Sequence, residues 1–273
     1  ERLAITRTVQ GAAVTDVAAT VINQALAELP IAKRMRWGSR RTEFVRPVHW
    51  VVCLYGDHDS FDPIFDLVPS RVSRGHRFHG PQSVVIDSPE RYEAILESCH
   101  VIASFDKRRA LIRNQVITLA DQLSLKANIA DDLLDEVTGL VEWPVALAGS
   151  FDPDFLRVPS EALIASMKEH QKYFHVTNQN NELEPLFITI ANIESPEPER
   201  IINGNERVIR PRLADAAFFF DTDLKTHLKQ RDSELAKMTF QHQLGSVLDK
   251  VKRVQQLAVI IAQEIDADPQ AVE

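Results

Sequence analysis

The chain has 273 residues, 44% of them hydrophobic and 26% charged, which is a globular composition with length for one large domain or two ordinary ones. No apolar run reaches bilayer-spanning length, and the opening Glu1 to Gln10 mixes polar and apolar residues unlike a secretory leader, so no membrane partner is expected. The net charge of −8 argues against a uniformly polyanion-binding surface, while Cys53 and Cys99, too few for a disulfide framework and without metal-ligand spacing, fit a reducing cytoplasm.

Leu3, Ile5 and Val9 roughly alternate with polar residues and predict an opening strand. Thr15 is placed to cap a helix with apolar positions Val17, Ala18, Val21, Ile22, Ala25, Leu26 and Leu29, stopped by Pro30. A basic loop follows. VHWVVCLY, residues 48–55, is so continuously apolar that it reads as a central strand. Ser88-Pro89 starts a helix with Tyr92, Ile95, Leu96 and Cys99 on one face. Ser104 caps the next, which carries Leu111, Val116, Leu119 and Leu123. Its first turn holds Lys107, Arg108 and Arg109, where the helix dipole disfavours cations. Either the helix starts elsewhere or an anion lies nearby. Asp131 to Val141 is an amphipathic helix, PVALAGSF a strand, and Ser160 the cap of a helix through Leu163 and Met167. QKYFHVTNQNNELEPLFITIAN is two strands joined by an Asn-rich turn.

Strands and helices without strict βαβ alternation make residues 1–195 an α+β region with a mixed sheet. The Pro-rich ESPEPER marks a boundary. Residues 196–220 are then a linker and a helix whose first turn suits Pro211, anchored to the α+β region by Phe218, Phe219 and Phe220. Only helices are expected after it. Ser246 and Asp249 form a capping pair for a long helix with the stripe Val247, Val251, Val254, Ala258, Ile261 and Ile265. The chain ends soon after, so residues 221–273 are expected to be a truncated helical domain.

Histidines invite a metal or acid–base reading. His76 and His79 in HRFH, and His170 and His175 in HQKYFH, are followed by no acidic or cysteine ligand at a convincing spacing, so no metal site is expected, and Asp249 alone does not make one. There is no P-loop, Rossmann glycine pattern or serine elbow, and nothing assembles a nucleophile, a base and an oxyanion hole. The residues alone therefore describe a binding region with no catalytic centre and no cofactor of its own.

Charge is unevenly spread. Ala32 to Arg46 holds six basic residues and one acid, and Arg71 to His79 three arginines, two histidines and no acid. Arg200 to Arg212 holds four arginines and Glu206. Basic islands on an acidic chain can still bind a polyanion, because the screened field is local. Arg36, Arg40, Arg41, Arg74, Arg77, Arg210 and Arg212 are the candidate phosphate-gripping residues. The competing reading is that these faces are merely solvated and that Arg210 and Arg212 pair with Asp215 or with the acids between Glu194 and Glu199.

Six stretches occur together: MRWGSRRTEFVRPVHW, SRVSRGHRFHG, LVEWPVALAGSF, VPSEALIASMKEHQKYF, ITIANIESPEPERIINGNERVIRPRLADAAFFFDTD and FQHQLGSVLDKVKRVQQLA. In this order they resemble the beta subunit of bacterial heterotetrameric glycyl-tRNA synthetase, over most of the chain from Leu29 to Ala258. The resemblance implies a middle part of that subunit. It implies an enzyme that joins glycine to its tRNA with ATP and magnesium in a cytoplasmic α2β2 assembly. Adenylate formation would lie on the alpha subunit and most tRNA binding on beta. The α+β part would correspond to the editing-type domain of the phenylalanyl-tRNA synthetase beta subunit, and the helices from residue 221 to the start of an HD-like domain. Three roles stay open: tRNA binding and assembly, trans-editing or hydrolysis with the RGHRFHG and MKEHQKYF segments as candidates, and a structural scaffold.

Overall fold

The computed structural model describes Ile5 and residues 10–39 and 41–268. The strand expected between Leu3 and Val9, Ile5 apart, and the side chain of Arg40 lie outside the described residues. The chain forms two compact units, one of residues 1–151 and 167–207 and one of residues 152–166 and 208–273. The architecture is α+β, and every ladder between named strands is antiparallel among the described residues.

The first unit opens with α1 (Val14–Glu28). Its N-cap is Ala13 and no side chain caps it, so Thr15 lies inside the helix rather than at its head. Leu29, ahead of Pro30, leaves the helical region at ψ 134°, as a residue before proline is pushed to do. Two short hairpins follow, β1 (Met35–Arg36) with β2 (Glu43–Phe44), and β3 (Val72–Ser73) with β4 (Val84–Val85). The expected central strand at residues 48–55 does not form: its only pairings are isolated bridges, Val52 to Ser70 and Tyr55 to His58. Its apolarity has another cause. Val52 and Leu54 pack on a small core of Val84, Ile86 and Leu96, the last from α2 (Tyr92–Ser98). Residues 51–54 are half-buried, while Trp50 and Tyr55 are exposed, and the segment is not laddered on both edges.

The main core lies farther along. In order come α3 (Phe105–Gln122), β5 (Lys126–Ala127), α4 (Asp131–Leu140) and β6 (Val145–Ser150). In the second unit is α5 (Ser160–Ala165), and back in the first are β7 (Phe174–Thr177) and β8 (Leu183–Ala191). The sheet order is β5-β7-β8-β6. Ile112, Val116 and Ala120 of α3 and Leu133, Leu134 and Val137 of α4 cover it, against Phe174, Val176 and Ile188. Each large apolar side chain so buried contributes about 1.5–3 kcal/mol. Ser104 caps α3 as expected, its side chain accepting from the backbone N–H of Lys107. Ser160 does not cap α5, whose N-cap is Pro159.

The basic first turn of α3 is real, and the anions are carboxylates of the same unit. Lys107 pairs with Glu93, and Arg109 with Asp131 and Asp135 at 2.7 and 2.5 Å. Arg108 instead donates to three backbone carbonyls, those of Ile102, Ala103 and Thr138.

A 27-residue helix, α6 (Pro198–Leu224), begins in the first unit and continues into the second. Pro211 sits inside it rather than in its first turn. Such a proline costs a helix about 3 kcal/mol or more; the burial of Ile209 and Leu213 on either side offsets it. Phe218 and Phe219 are 63% and 64% exposed and Phe220 is half-buried; the buried positions of the helix are Ile209, Leu213 and Ala217. In the second unit Arg157 holds Asp221 through two bonds of 2.6 and 3.0 Å. α7 (Asp232–Leu235) follows, then a hairpin that the sequence did not announce, β9 (Thr239–Gln241) with β10 (Gly245–Ser246). The last helix, α8 (Val247–Glu264), carries the expected capping box of Ser246 and Asp249. Val251, Val254 and Ile261 of its stripe are exposed. No helix among the described residues is long and apolar enough to cross a membrane.

Candidate functional site

The RGHRFHG segment is a loop folded against the end of α2. Gly75 donates to the carbonyl of Pro81 and Gly80 to that of His76, while His76 donates to the carbonyl of Cys99, all at 2.8–2.9 Å. A Cβ on Gly80 would stand 2.5 Å from that Cys99 oxygen, so only glycine lets the loop lie this close.

His76 is the post on which the loop hangs. It is 1% exposed. Its Nε2 bonds the Asn192 carbonyl oxygen at 2.7 Å, which assigns the proton to Nε2. Its Nδ1 accepts from the backbone N–H groups of Phe78 and His79. Both nitrogens are thereby occupied, and neither is left to hold a metal or move a proton. His79 stacks on His76 with centroids 4.8 Å apart and accepts from the Glu194 N–H. His100 and Trp143 extend the ring cluster. Among the described residues no three His, Cys, Asp or Glu side chains converge as a metal site.

Beside the loop lie two hollows that share Trp50. One, about 550 Å³, is polar and lined by Arg74, His76, Arg77, Gln82 and Glu142 together with Trp50. The other, about 400 Å³, is lined by Trp50, Val52, Leu54, Ser73, Pro89 and Tyr92. The Arg74 guanidinium lies 4.7 Å from the centre of the Trp50 ring, a cation–π contact. Arg77 lies 5.8 Å from the ring of Phe78. The clustered arginines pointed to this loop; Trp50, Tyr92 and Glu142 were not singled out, though Trp50 stands in the apolar run that reaches the same place.

The other candidate arginines differ in their surroundings. Arg36 on β1 is bound to Glu43 on β2 at 2.5 Å. Arg41 is exposed. Arg210 and Arg212, on α6 in the second unit, are exposed, and among the described residues neither forms an ion pair.

Comparison with known proteins assigns the chain. The family model of the glycyl-tRNA synthetase beta subunit matches residues 1–273. This chain belongs to the glycyl-tRNA synthetase beta subunit family. The glycine–tRNA ligase beta subunit of Marinobacter nauticus is 51% identical over 270 residues, covering 98% of this chain and 39% of that protein. Those of Hahella chejuensis and Pseudomonas syringae pv. syringae are 51% and 49% identical, over 95% and 98% of this chain and 38% and 39% of theirs. The chain thus spans about 39% of the length of the curated relatives it matches. Its resemblance to an aminoacyl-tRNA synthetase subunit, carried by the six sequence stretches, is borne out.

In this member of the glycyl-tRNA synthetase beta subunit family the second histidine segment, MKEHQKYFH, is a structural junction. Residues Ser166–Gln171 form a π-helical turn, and Lys172 follows with φ 60°. Lys168 pairs with Asp132 and Lys172 with Glu136, fastening the turn to α4. Burial, with the charge of Lys168 second, holds the His175 imidazole below its usual range. Burial pushes the Tyr173 phenol up to about 12, and its hydroxyl donates to Asn205 Oδ1 at 2.7 Å.

Proposed function

We propose that this chain is the tRNA-contacting part of the beta subunit of a glycine–tRNA ligase. Adenylate chemistry, with its ATP and magnesium, belongs in this reading to a separate alpha subunit in a cytoplasmic α2β2 assembly. The unit built on the β5-β7-β8-β6 sheet would correspond to the editing-type domain of the phenylalanyl-tRNA synthetase beta subunit, and the helices after residue 221 to an HD-like domain. Beyond family membership, the observation that carries the proposal is the state of the arginines. Arg74, Arg77, Arg210 and Arg212 are exposed with no carboxylate partner among the described residues, whereas Arg109, Arg113 and Arg157 are paired. An exposed guanidinium with no acid beside it keeps its fork for phosphate oxygens.

The test replaces Arg210 and Arg212 together with glutamine in the assembled enzyme. Affinity for the glycine tRNA falls, and the slope of log affinity against log salt flattens by up to about two, because each lost phosphate contact removes roughly one released counterion. The melting temperature stays close to the parent's, as exposed ion pairs contribute only about 0–1 kcal/mol. A lowered melting temperature with unchanged tRNA affinity and slope would make these arginines structural and the segment a scaffold.

A further inference from the structure

We infer that the two hollows sharing Trp50 form one binding site for a nucleoside 5′-phosphate, either an unpaired nucleotide of an RNA or a free mononucleotide. The inference rests on the tRNA-contacting reading only for the choice between these sources.

The hollows differ in character, and a nucleotide has the matching halves. On one side the walls are Trp50, Tyr92, Val52, Leu54 and Pro89 with the polar Ser73 among them, rings and aliphatic side chains that suit the flat face of a base beside one hydroxyl for its edge. On the other are Arg74 and Arg77, whose forks suit a phosphate. Both volumes, about 400 and 550 Å³, lie in the range of small-ligand sites. Trp50 is 41% exposed, a large aromatic surface left to water. The guanidinium of Arg74 against that ring fixes its position, so little side-chain freedom remains to be lost when a base stacks there. Stacking on an aromatic ring tolerates every base, because each has a π-face.

Glu142 narrows the ligand further. It lines the polar hollow with the arginines. An ionised carboxylate only accepts hydrogen bonds. It opposes a phosphate placed next to it and suits the donor hydroxyls of a ribose, the feature that distinguishes RNA from DNA. The geometry therefore favours a ribonucleotide whose sugar lies by Glu142 and whose phosphate lies by Arg74 and Arg77. His76, with both nitrogens engaged, supports the wall and takes no part in contact.

Calorimetric titration of the protein with AMP, 2′-deoxy-AMP, adenosine, a single-stranded RNA tetramer and a blunt RNA duplex tests the site. AMP binds at least several-fold more tightly than adenosine or 2′-deoxy-AMP, and the duplex does not compete. Trp50→Ala weakens AMP by about 5- to 150-fold, the range set by loss of one stacked base. Trp50→Phe weakens it less, and Arg74→Gln removes most of the preference for AMP over adenosine. Arg74 is exposed, so its replacement leaves the melting temperature near the parent's and keeps the test valid if the Trp50 variants unfold. A tetramer that binds more tightly than AMP assigns the site to RNA; equal affinities assign it to free mononucleotide. Adenosine binding as well as AMP, or parental affinity in both Trp50→Ala and Arg74→Gln, would overturn the inference. If tRNA binds the protein and the Trp50→Ala variant equally while AMP and the tetramer do not bind, the nucleotide site falls and the tRNA-contacting reading stands. AMP binding as described, without any tRNA binding, leaves the site standing and removes the tRNA-contacting reading.

Discussion

The ring of Phe187 occupies the space above Gly149. The two are paired in the β6–β8 register, and a Cβ on Gly149 would meet Cζ of Phe187 at 2.4 Å. On the same ring Tyr173 stacks at 4.4 Å with planes 10° apart. Three residues from three strands or their flanks thus form one layer, which any added carbon would force apart.

Gly149→Ala therefore destabilises the first unit by about 1–3 kcal/mol, the usual cost of overpacking a well-filled core. Chemical denaturation measures it as a lower midpoint with an unchanged slope. A midpoint equal to the parent's would mean that the ring of Phe187 shifts freely.

Tyr173→Phe keeps the stack and removes one donor. Asn205 Oδ1 loses the hydrogen bond it accepts at 2.7 Å, so stability falls by about 0.5–1.5 kcal/mol. Spectrophotometric titration reads the same site. The phenol, held near 12 by burial, ionises well above an ordinary tyrosine. Its raised pKa means that its contribution is complete below about 10, the unfolded value, and is lost as pH rises through the folded one. The variant lacks that late-titrating component.

His175 carries the opposite pH dependence. Burial first, then Lys168, disfavours its charged form in the fold. The unfolded chain binds the proton more readily, so stability is present above the ordinary histidine range and declines as pH falls below about 6.5. His175→Phe flattens the melting temperature between pH 7 and pH 5 relative to the parent. Parallel profiles for the two proteins would refute the assignment.

The cations of the first α3 turn separate by their partners. Arg108 donates to the carbonyls of Ile102, Ala103 and Thr138, which its loss leaves without that donor. Arg108→Met is expected to cost about 1–3 kcal/mol. Arg109→Gln touches only exposed carboxylates and shifts the denaturation midpoint much less. Equal losses in the two variants would show that the carbonyl contacts contribute nothing special.

Local chemistry was legible without coordinates. Ser104 heads α3, Ser246 and Asp249 close a capping box on α8, and an Asn-rich turn joins β7 to β8, because each device is complete within a few residues. The apolar residues of VHWVVCLY predicted a central strand that does not form, although Val52 and Leu54 do pack on a small core. The family itself was legible, since six ordered stretches carry it. Other features depend on residues far apart in the chain. Lys107 finds Glu93 and Arg109 finds Asp131 and Asp135 only when helices pack, so the basic turn looked anomalous in isolation. Residues 48–55 needed a strand on each edge to become the centre of a sheet, and none comes alongside. Phe218 and Phe219 are apolar in any window, yet the face of α6 that the fold buries is the one with Ile209, Leu213 and Ala217. Trp50 meets Arg74 across an intervening loop. Sequence by itself determined the caps of α3 and α8, the turn between β7 and β8 and the family, because capping and turn chemistry act over one or two turns of chain. Tertiary structure alone decided which apolar face is covered, which charges are neutralised and which aromatic ring the Arg74 guanidinium meets, because those outcomes are set by distances between segments that no local pattern encodes.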